Sequence, residues 1–406
     1  MDKRTTFEMD LTVHAGPSER TNPIIDAVGL DIDNLLWHAG IEGRFSPYTL
    51  SLVDSESGES LPVQWNATFG CHGLLSAVLP GTIEAKAVRQ LHLRFEVLPW
   101  TERAAPPPKN DFTDRIVLTD LGREVLFSKN ERELCRYRYR DEWKPFFFPV
   151  YGPDGNVVRD RIYNAEGHHF HHGLWLAYGS IDHNSANLWC EDERVLPRRG
   201  PTGRIVHDAF ERFTFGWVYG LLCERLIYCK PDGEVFAREL RTICVYAPTA
   251  DTQIIDWTIR LEEPQDTGRR GIMFACRVAP SMRLEDASNG WSARKPMAKP
   301  GKIVQSSDQP WTDYSGPVGD GWNGIALFDH PSNVDYPRQP GASGYGVMSI
   351  GREYPQDDTH RGGAVDLRYR AYVHNGDAET GRVGQAWHDY AHPCLVVPGQ
   401  IRAANE

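Results

Sequence analysis

Nowhere does this chain run to the ~18 to 20 consecutive apolar residues that a bilayer-spanning helix needs, so the sequence reads as that of a protein without such a helix. The charged start MDKRTTFEMD is followed by no apolar block of a secretory signal, so a cytoplasmic location is expected. P-loop, dinucleotide fingerprint and G-x-S-x-G elbow are all missing, which leaves no sequence argument for nucleotide, nicotinamide or serine-hydrolase chemistry. There is no C-x-x-C pair; the eight cysteines, Cys71, Cys135, Cys190, Cys223, Cys229, Cys244, Cys276 and Cys394, are scattered and read as small buried hydrophobes. Basic runs are lacking too, and a formal charge of -11 would repel a phosphate backbone, so no nucleic-acid partner is expected. Helical periodicity is almost absent. Only a short segment near Val383 to Ala391, stopped by Pro393, reads as a helix turn or two.

What is present is β texture. Runs such as TFEMDLTVHA, LHLRFEVL, TQIIDWTIRLEE and VDLRYRAYVH alternate apolar and polar residues, with 37 glycines and 28 prolines available for turns. A chain of 406 residues outgrows a single core, and Pro106, Pro107 and Pro108 mark an extended linker. The expected fold is all-β: a small N-terminal β-sandwich module over 1–103, then a large antiparallel β-sandwich over 111–406 that carries the site.

The densest chemistry lies in YNAEGHHFHHGLWLAYGSIDHNSANLW, which holds His168, His169, His171, His172 and His183 with Glu166 and Asp182. Imidazoles titrate near neutrality, so such a cluster supplies either an acid and a base or ligands for a metal. If the segment is extended, His169 and His171 share one face, and His168, Phe170 and His172 the other. On VDLRYRAYVHNGD, alternation sets Arg368, Arg370, Tyr372 and His374 on one face and Leu367, Tyr369, Ala371 and Val373 on the other. GIALFDHPSN ends a strand at Asp329 and His330, a position where scaffolds place reactive groups and where turns also begin. Aromatics are 11% of the chain, and Trp175, Trp189, Trp311, Trp322, Tyr178 and Tyr314 accompany the polar clusters; flat rings beside hydrogen-bonding groups suit a sugar.

Four ordered features, EWKPFFFPV, HHFHHGLWLAYG, WTDYSG with GIALFDHPSN, and LRYRAYVHNGD, resemble the bacterial PmoA-like family across roughly Arg115 to Pro393. That resemblance maps an H-x-x-H-H-G pattern onto His168, His171, His172 and Gly173 and implies a carbohydrate context.

Together these features predict an enzyme that acts on a sugar or glycoside by histidine acid/base chemistry: hydrolysis, elimination or epimerisation. His168, His171 and His172 are the expected catalytic groups, and Trp175, His183, Asp329, His330, Arg368, Arg370, Tyr372 and His374 the expected substrate-holding ones, all facing one pocket. A non-catalytic glycan-binding sandwich and a metal-assisted hydrolase or lyase are the alternatives. No cofactor is expected, although a divalent metal held by one or two of these histidines with Glu166, Asp182, Asp329 or His330 stays open. The expected partner is a small sugar or glycoside, with no membrane partner and homo-oligomerisation left open.

Overall fold

The computed structural model describes residues 4–404 except 68–72, 105–112, 163–167, 179, 182–185, 192–200, 264–270, 307, 335 and 352–362. Two compact units are found. The first comprises Met1–Arg115, Gly216–Tyr219 and His388–Glu406, and the second Ile116–Phe215 and Gly220–Trp387.

The first unit is built on strand β1 (Thr5–His14), where Phe7, Met9, Leu11 and Val13 are buried and the residues between them are partly exposed. That period of two is what one apolar sheet face requires. Then follow β2 (Ile24–Leu30), β3 (Ser51–Asp54), β4 (Val63–Ala67), β5 (Gly73–Val78) and β6 (Val88–Leu98). Strand β6 runs antiparallel along the whole of β1 and also pairs with β3. The other edge of β1 is taken by Leu395–Pro398 and Arg402–Ala403, from the far end of the chain. A smaller sheet, β2-β5-β4, shares the core through Ile25, Val63, Leu75 and Ala77.

In the second unit the strands are β7 (Ile116–Asp120), β8 (Glu124–Lys129), β9 (Arg132–Arg138), β10 (Phe146–Val150), β11 (Leu174–Tyr178), β12 (Arg204–Thr214), β13 (Tyr219–Cys229) and β14 (Val235–Thr249), followed by β15 (Thr252–Glu263), β16 (Ile272–Arg277), β17 (Lys302–Gln305), β18 (Trp311–Val318), β19 (Gly321–Asp329), β20 (Pro340–Ser343), β21 (Val347–Ile350) and β22 (Gly363–Asn375). They form two eight-stranded sheets, ordered β7-β8-β9-β10-β11-β16-β21-β20 and β12-β13-β14-β15-β22-β19-β18-β17, whose described pairings are antiparallel. The expected antiparallel β-sandwich is the fold observed.

One core lies between the two sheets. Trp257 of β15 meets Phe147 of β10 at 5.8 Å and Phe274 of β16 at 5.4 Å, and Phe274 stacks on Tyr369 of β22 at 5.1 Å. Each such fully buried ring contributes roughly 1.5–3 kcal/mol from burial. A polar network also crosses this interior: Tyr137 donates to Glu224 (2.6 Å), and Arg241 donates to Tyr137 (2.9 Å) and to Glu239. The turn or two of helix read near Val383 to Ala391 is a helix over Val383–Ala391, and a second helix, Ile32–His38, was not read from the sequence.

Candidate functional site

Alternation on the first large sheet decides where the site lies. Leu174 and Leu176 of β11 and Phe274 and Cys276 of β16 face the interior. Their neighbours Trp175, Ala177, Met273 and Ala275 therefore point outward, where with Phe146, Phe170, Trp189 and Cys190 they make a second, smaller apolar cluster. The histidine segment covers this outer face.

It does so as a turn, not as an extended strand. The His171 N–H donates to the His168 carbonyl at 3.2 Å, and Gly173 follows at φ +64, where a Cβ would collide with the Phe147 carbonyl oxygen. The chain is then fixed by three backbone bonds: Gly173 to Arg159 (2.7 Å), Arg277 to Gly173 (2.8 Å) and Arg159 to Arg277 (2.9 Å). Because the chain bends, the neighbours His171 and His172 both stack on Trp175, at 5.8 and 6.4 Å, instead of pointing to opposite sides. Trp189 meets His171 edge-on at 5.0 Å, and Phe146 meets His172 at 4.1 Å.

Four charged residues that pattern reasoning did not single out surround His172. Its Nε2 lies 2.6 Å from Glu191, whose carboxylate also accepts from Lys144 (2.8 Å) and Arg161 (2.9 Å); Arg161 reaches on to Glu142 (3.0 Å). A carboxylate partner fixes the tautomer: Nε2–H donates to Glu191 and the lone pair sits on Nδ1. Burial opposes ionisation of Glu191, yet His172, Lys144 and Arg161 together hold its pKa well below the usual carboxylate range. Glu142, with desolvation dominant, is raised.

Neither ring nitrogen of His171 makes a hydrogen bond to a described residue, and the same is true of His172 Nδ1 and Trp175 Nε1. His171 is only 4% exposed and His172 wholly buried. Burial, reinforced by His168 and Lys144, pushes the His171 pKa well below its ordinary value, and burial lowers that of His172 despite Glu191. The site thus holds two buried imidazoles whose pKa values are both lowered, with both ring nitrogens of His171 and the Nδ1 of His172 not engaged by described protein groups.

The remaining expected residues lie elsewhere. Leu367, Tyr369, Ala371 and Val373 of β22 point into the core, so Arg368, Arg370 and Tyr372 occupy the outer face of the second sheet, together with His374. His168, His171 and His172 are on the outer face of the first. The two faces are separated by the ~10 Å between stacked sheets plus side-chain layers beyond each, so the expectation of one shared pocket is not met. Arg370 forms a two-bond ion pair with Asp256 (2.6 and 2.7 Å), and Tyr372 donates to the Gly381 carbonyl (3.0 Å). The His374 ring reaches across Gly324 to Asp313 at 2.9 Å. Asp329 is buried and ties down the loop after β19, accepting from His330 N–H (3.1 Å), Asn333 Nδ2 (2.7 Å) and Arg338 N–H (2.8 Å), while Asn333 also bonds the Arg368 backbone. The His330 ring faces Ser332 at 2.7 Å. His183, Glu166 and Asp182 lie outside the described residues. No group of three or more His, Cys, Asp or Glu side chains able to hold a metal ion is found among the described residues.

A family model described as Family of unknown function (DUF6807) matches residues 124–388, more than half of the sequence. The chain belongs to the DUF6807 family. This corrects the PmoA-like resemblance: the family that the chain matches is DUF6807. The DUF6807 match runs from the start of β8 into the helix Val383–Ala391, so it takes in the histidine turn. A comparison with curated proteins finds no match. Among solved structures the DUF6807 chain is similar to an alpha-mannosidase from Enterococcus faecalis V583, at 8% identity and TM-score 0.48, over 98% of this chain and 46% of the other. It is also similar to a protein in the glycosyl hydrolase family 38 from Enterococcus faecalis, at 9% identity and TM-score 0.45, over 96% and 47%. This chain therefore spans about half the length of either protein. Among the described residues, no helix is long and apolar enough to cross a membrane.

Proposed function

We propose that the histidine turn on the first large sheet is the catalytic site of an enzyme that acts on a sugar or glycoside by acid/base chemistry. One observation carries the reading: His171 is held neutral and almost wholly buried, with both ring nitrogens unbonded among the described residues. A buried polar group without a partner costs about 1–3 kcal/mol, a penalty that a bound substrate's hydroxyl would offset. In this reading His171 exchanges the proton, and His172, oriented through Nε2 by Glu191, presents its Nδ1 lone pair as the second base. Lys144 and Arg161 hold Glu191 ionised. Indole and phenyl rings from Trp175, Trp189 and Phe146 beside these polar groups support a sugar as the substrate class.

The test is turnover. The purified chain is incubated with a panel of glycosides and free sugars, and products are followed by mass spectrometry and NMR. Replacing His171 or His172 by Ala should lower the rate by ~10² or more with the circular dichroism spectrum unchanged. Equal rates in folded variants would remove both residues from the mechanism.

A further inference from the structure

On the outer face of the first large sheet four buried ring nitrogens make no hydrogen bond to a described residue: Nδ1 and Nε2 of His171, Nδ1 of His172 and Nε1 of Trp175. Trp175 and His172 are wholly buried, and His171 is 4% exposed. Strand alternation turns Trp175 outward from β11, and the bend at Gly173 lays both histidines on its ring, His171 at an interplanar angle of 20° and His172 at 25°. The acid/base reading uses the two imidazoles and leaves the indole N–H without a part.

Hydrogen-bonding capacity decides what these atoms can recognise. An indole nitrogen only donates. A neutral imidazole such as His171 offers one donor and one acceptor, while His172, with its Nε2–H given to Glu191, offers only the Nδ1 lone pair. Two donors and two acceptors are thus unmatched, among the described residues, on three neighbouring rings. A hydroxyl both donates and accepts, so a pair of hydroxyls satisfies that set. A carboxylate or fully ionised phosphate has no proton to give and would leave both lone pairs unsatisfied. Protonating the imidazoles to receive such an anion is opposed by burial, which lowers both pKa values. The cations beside His172 are engaged as well: Lys144 pairs with Glu191 at 2.8 Å, and Arg161 with Glu191 at 2.9 Å and Glu142 at 3.0 Å. At this depth a ligand leaves bulk water behind, and burying an anion costs far more than burying a hydroxyl that finds a partner.

We infer that this site takes an uncharged sugar through two of its hydroxyls, with Trp175 Nε1–H donating to a hydroxyl oxygen while His171 and His172 Nδ1 accept hydroxyl protons. The inference rests on the acid/base reading for the place of the site; it adds the substrate class and makes Trp175 a binding residue.

Calorimetric titration of the full chain against methyl glucoside, galactoside and mannoside, each beside its uronide, tests it. In at least one pair the neutral glycoside should bind at least about tenfold more tightly than the uronide. Equal affinity throughout, tighter binding of the uronides, or binding of none would overturn the inference. Monodeoxy versions of the glycoside that binds then report on Trp175. The analogue lacking the hydroxyl that meets the indole should bind the parent chain about three- to tenfold more weakly than the full glycoside, whereas Trp175→Phe, which keeps a ring and removes the N–H, should bind the two alike. If every analogue loses as much with Trp175→Phe as with the parent, the indole donates to no hydroxyl and its part is refuted. The uronide comparison needs no variant, so it decides the substrate class even should Trp175→Phe fail to fold. Turnover separates the two ideas. A neutral sugar that is preferred over its uronide but turned over equally by His171→Ala would sink the acid/base reading and leave this inference standing. A uronide bound more tightly, and turned over by the parent but not by His171→Ala, would do the reverse.

Discussion

His171 and His172 are neighbours in one turn, yet they are held in different ways. His172 is oriented by an ion cluster, whereas among the described residues His171 is held by aromatic rings and by the backbone of the turn. Removing the carboxylate at the centre of that cluster should therefore hurt more than removing a surface charge. Glu191→Gln leaves Lys144 and Arg161 buried or half-buried without their common negative charge, and a loss of about 3–5 kcal/mol in urea unfolding is expected, with partial recovery in Glu191→Gln/Lys144→Met. A pH dependence follows from His171. An unfolded histidine titrates near ~6.5, and burial sets the folded value well below that, so on acidification the unfolded chain takes up the proton first. Stability from this group is complete above ~6.5 and is lost as pH falls from there toward the folded value. His172 acts with the same sign. Urea midpoints measured from pH 8 to pH 5 should hold steady and then decline, and His171→Phe should decline less. A variant curve parallel to the parent's would show that His171 does not take up the proton.

Among the elements, β22 shows most clearly what alternation can and cannot reveal. It sorted Leu367, Tyr369, Ala371 and Val373 from Arg368, Arg370 and Tyr372, and the structure buries the first set in the core. Nothing in a period of two says which sheet a strand joins or what lies over its outer face, so a polar face that looked open to substrate proved to be engaged by Asp256, Asp313 and Gly381. His374 depends on a missing side chain: its ring crosses β19 at Gly324, where a Cβ would strike the imidazole, and Gly381 closes in from the other side in the same way. Gly324→Ala should cost about 1–3 kcal/mol by overpacking, and Gly324→Ala with His374→Ala should cost less than the two single losses added. Additive losses in thermal or urea unfolding would mean the ring is not clamped. The helix at Val383–Ala391 was legible because Pro393 stops it, and the histidines stood out by density alone. Their turn was not legible, since its course depends on Gly173 packing against the Phe147 carbonyl. Lys144, Glu191, Arg159 and Arg277 escaped for another reason: in sequence a buried charge looks like any surface charge. Lys144 alone carried a hint, set between Trp143 and the apolar run PFFFPV.

At the scale of the whole molecule, alternation in the second unit separates two outer faces with different work, one carrying the histidine turn and the other stapled by ion pairs and a tightly packed histidine. The first unit is closed by residues from the far end of the sequence. Leu395–Pro398 lines the edge of β1, Gly399 N–H bonds the Asp10 carbonyl at 2.8 Å, and Arg402 pairs with Glu8 and Asp10. A chain ending at His392 should lose thermal stability in this unit and scatter light on standing, because β1 would present a bare strand edge. Unchanged melting and scattering would show that the edge needs no cover. The same pairing sets an order on synthesis. Strand β1 leaves the ribosome before its partner, which follows roughly 380 residues later and at about 5–20 residues per second leaves that edge open for roughly 20–80 seconds. Strand β1 is therefore paired on this edge only after Leu395–Pro398 has been made.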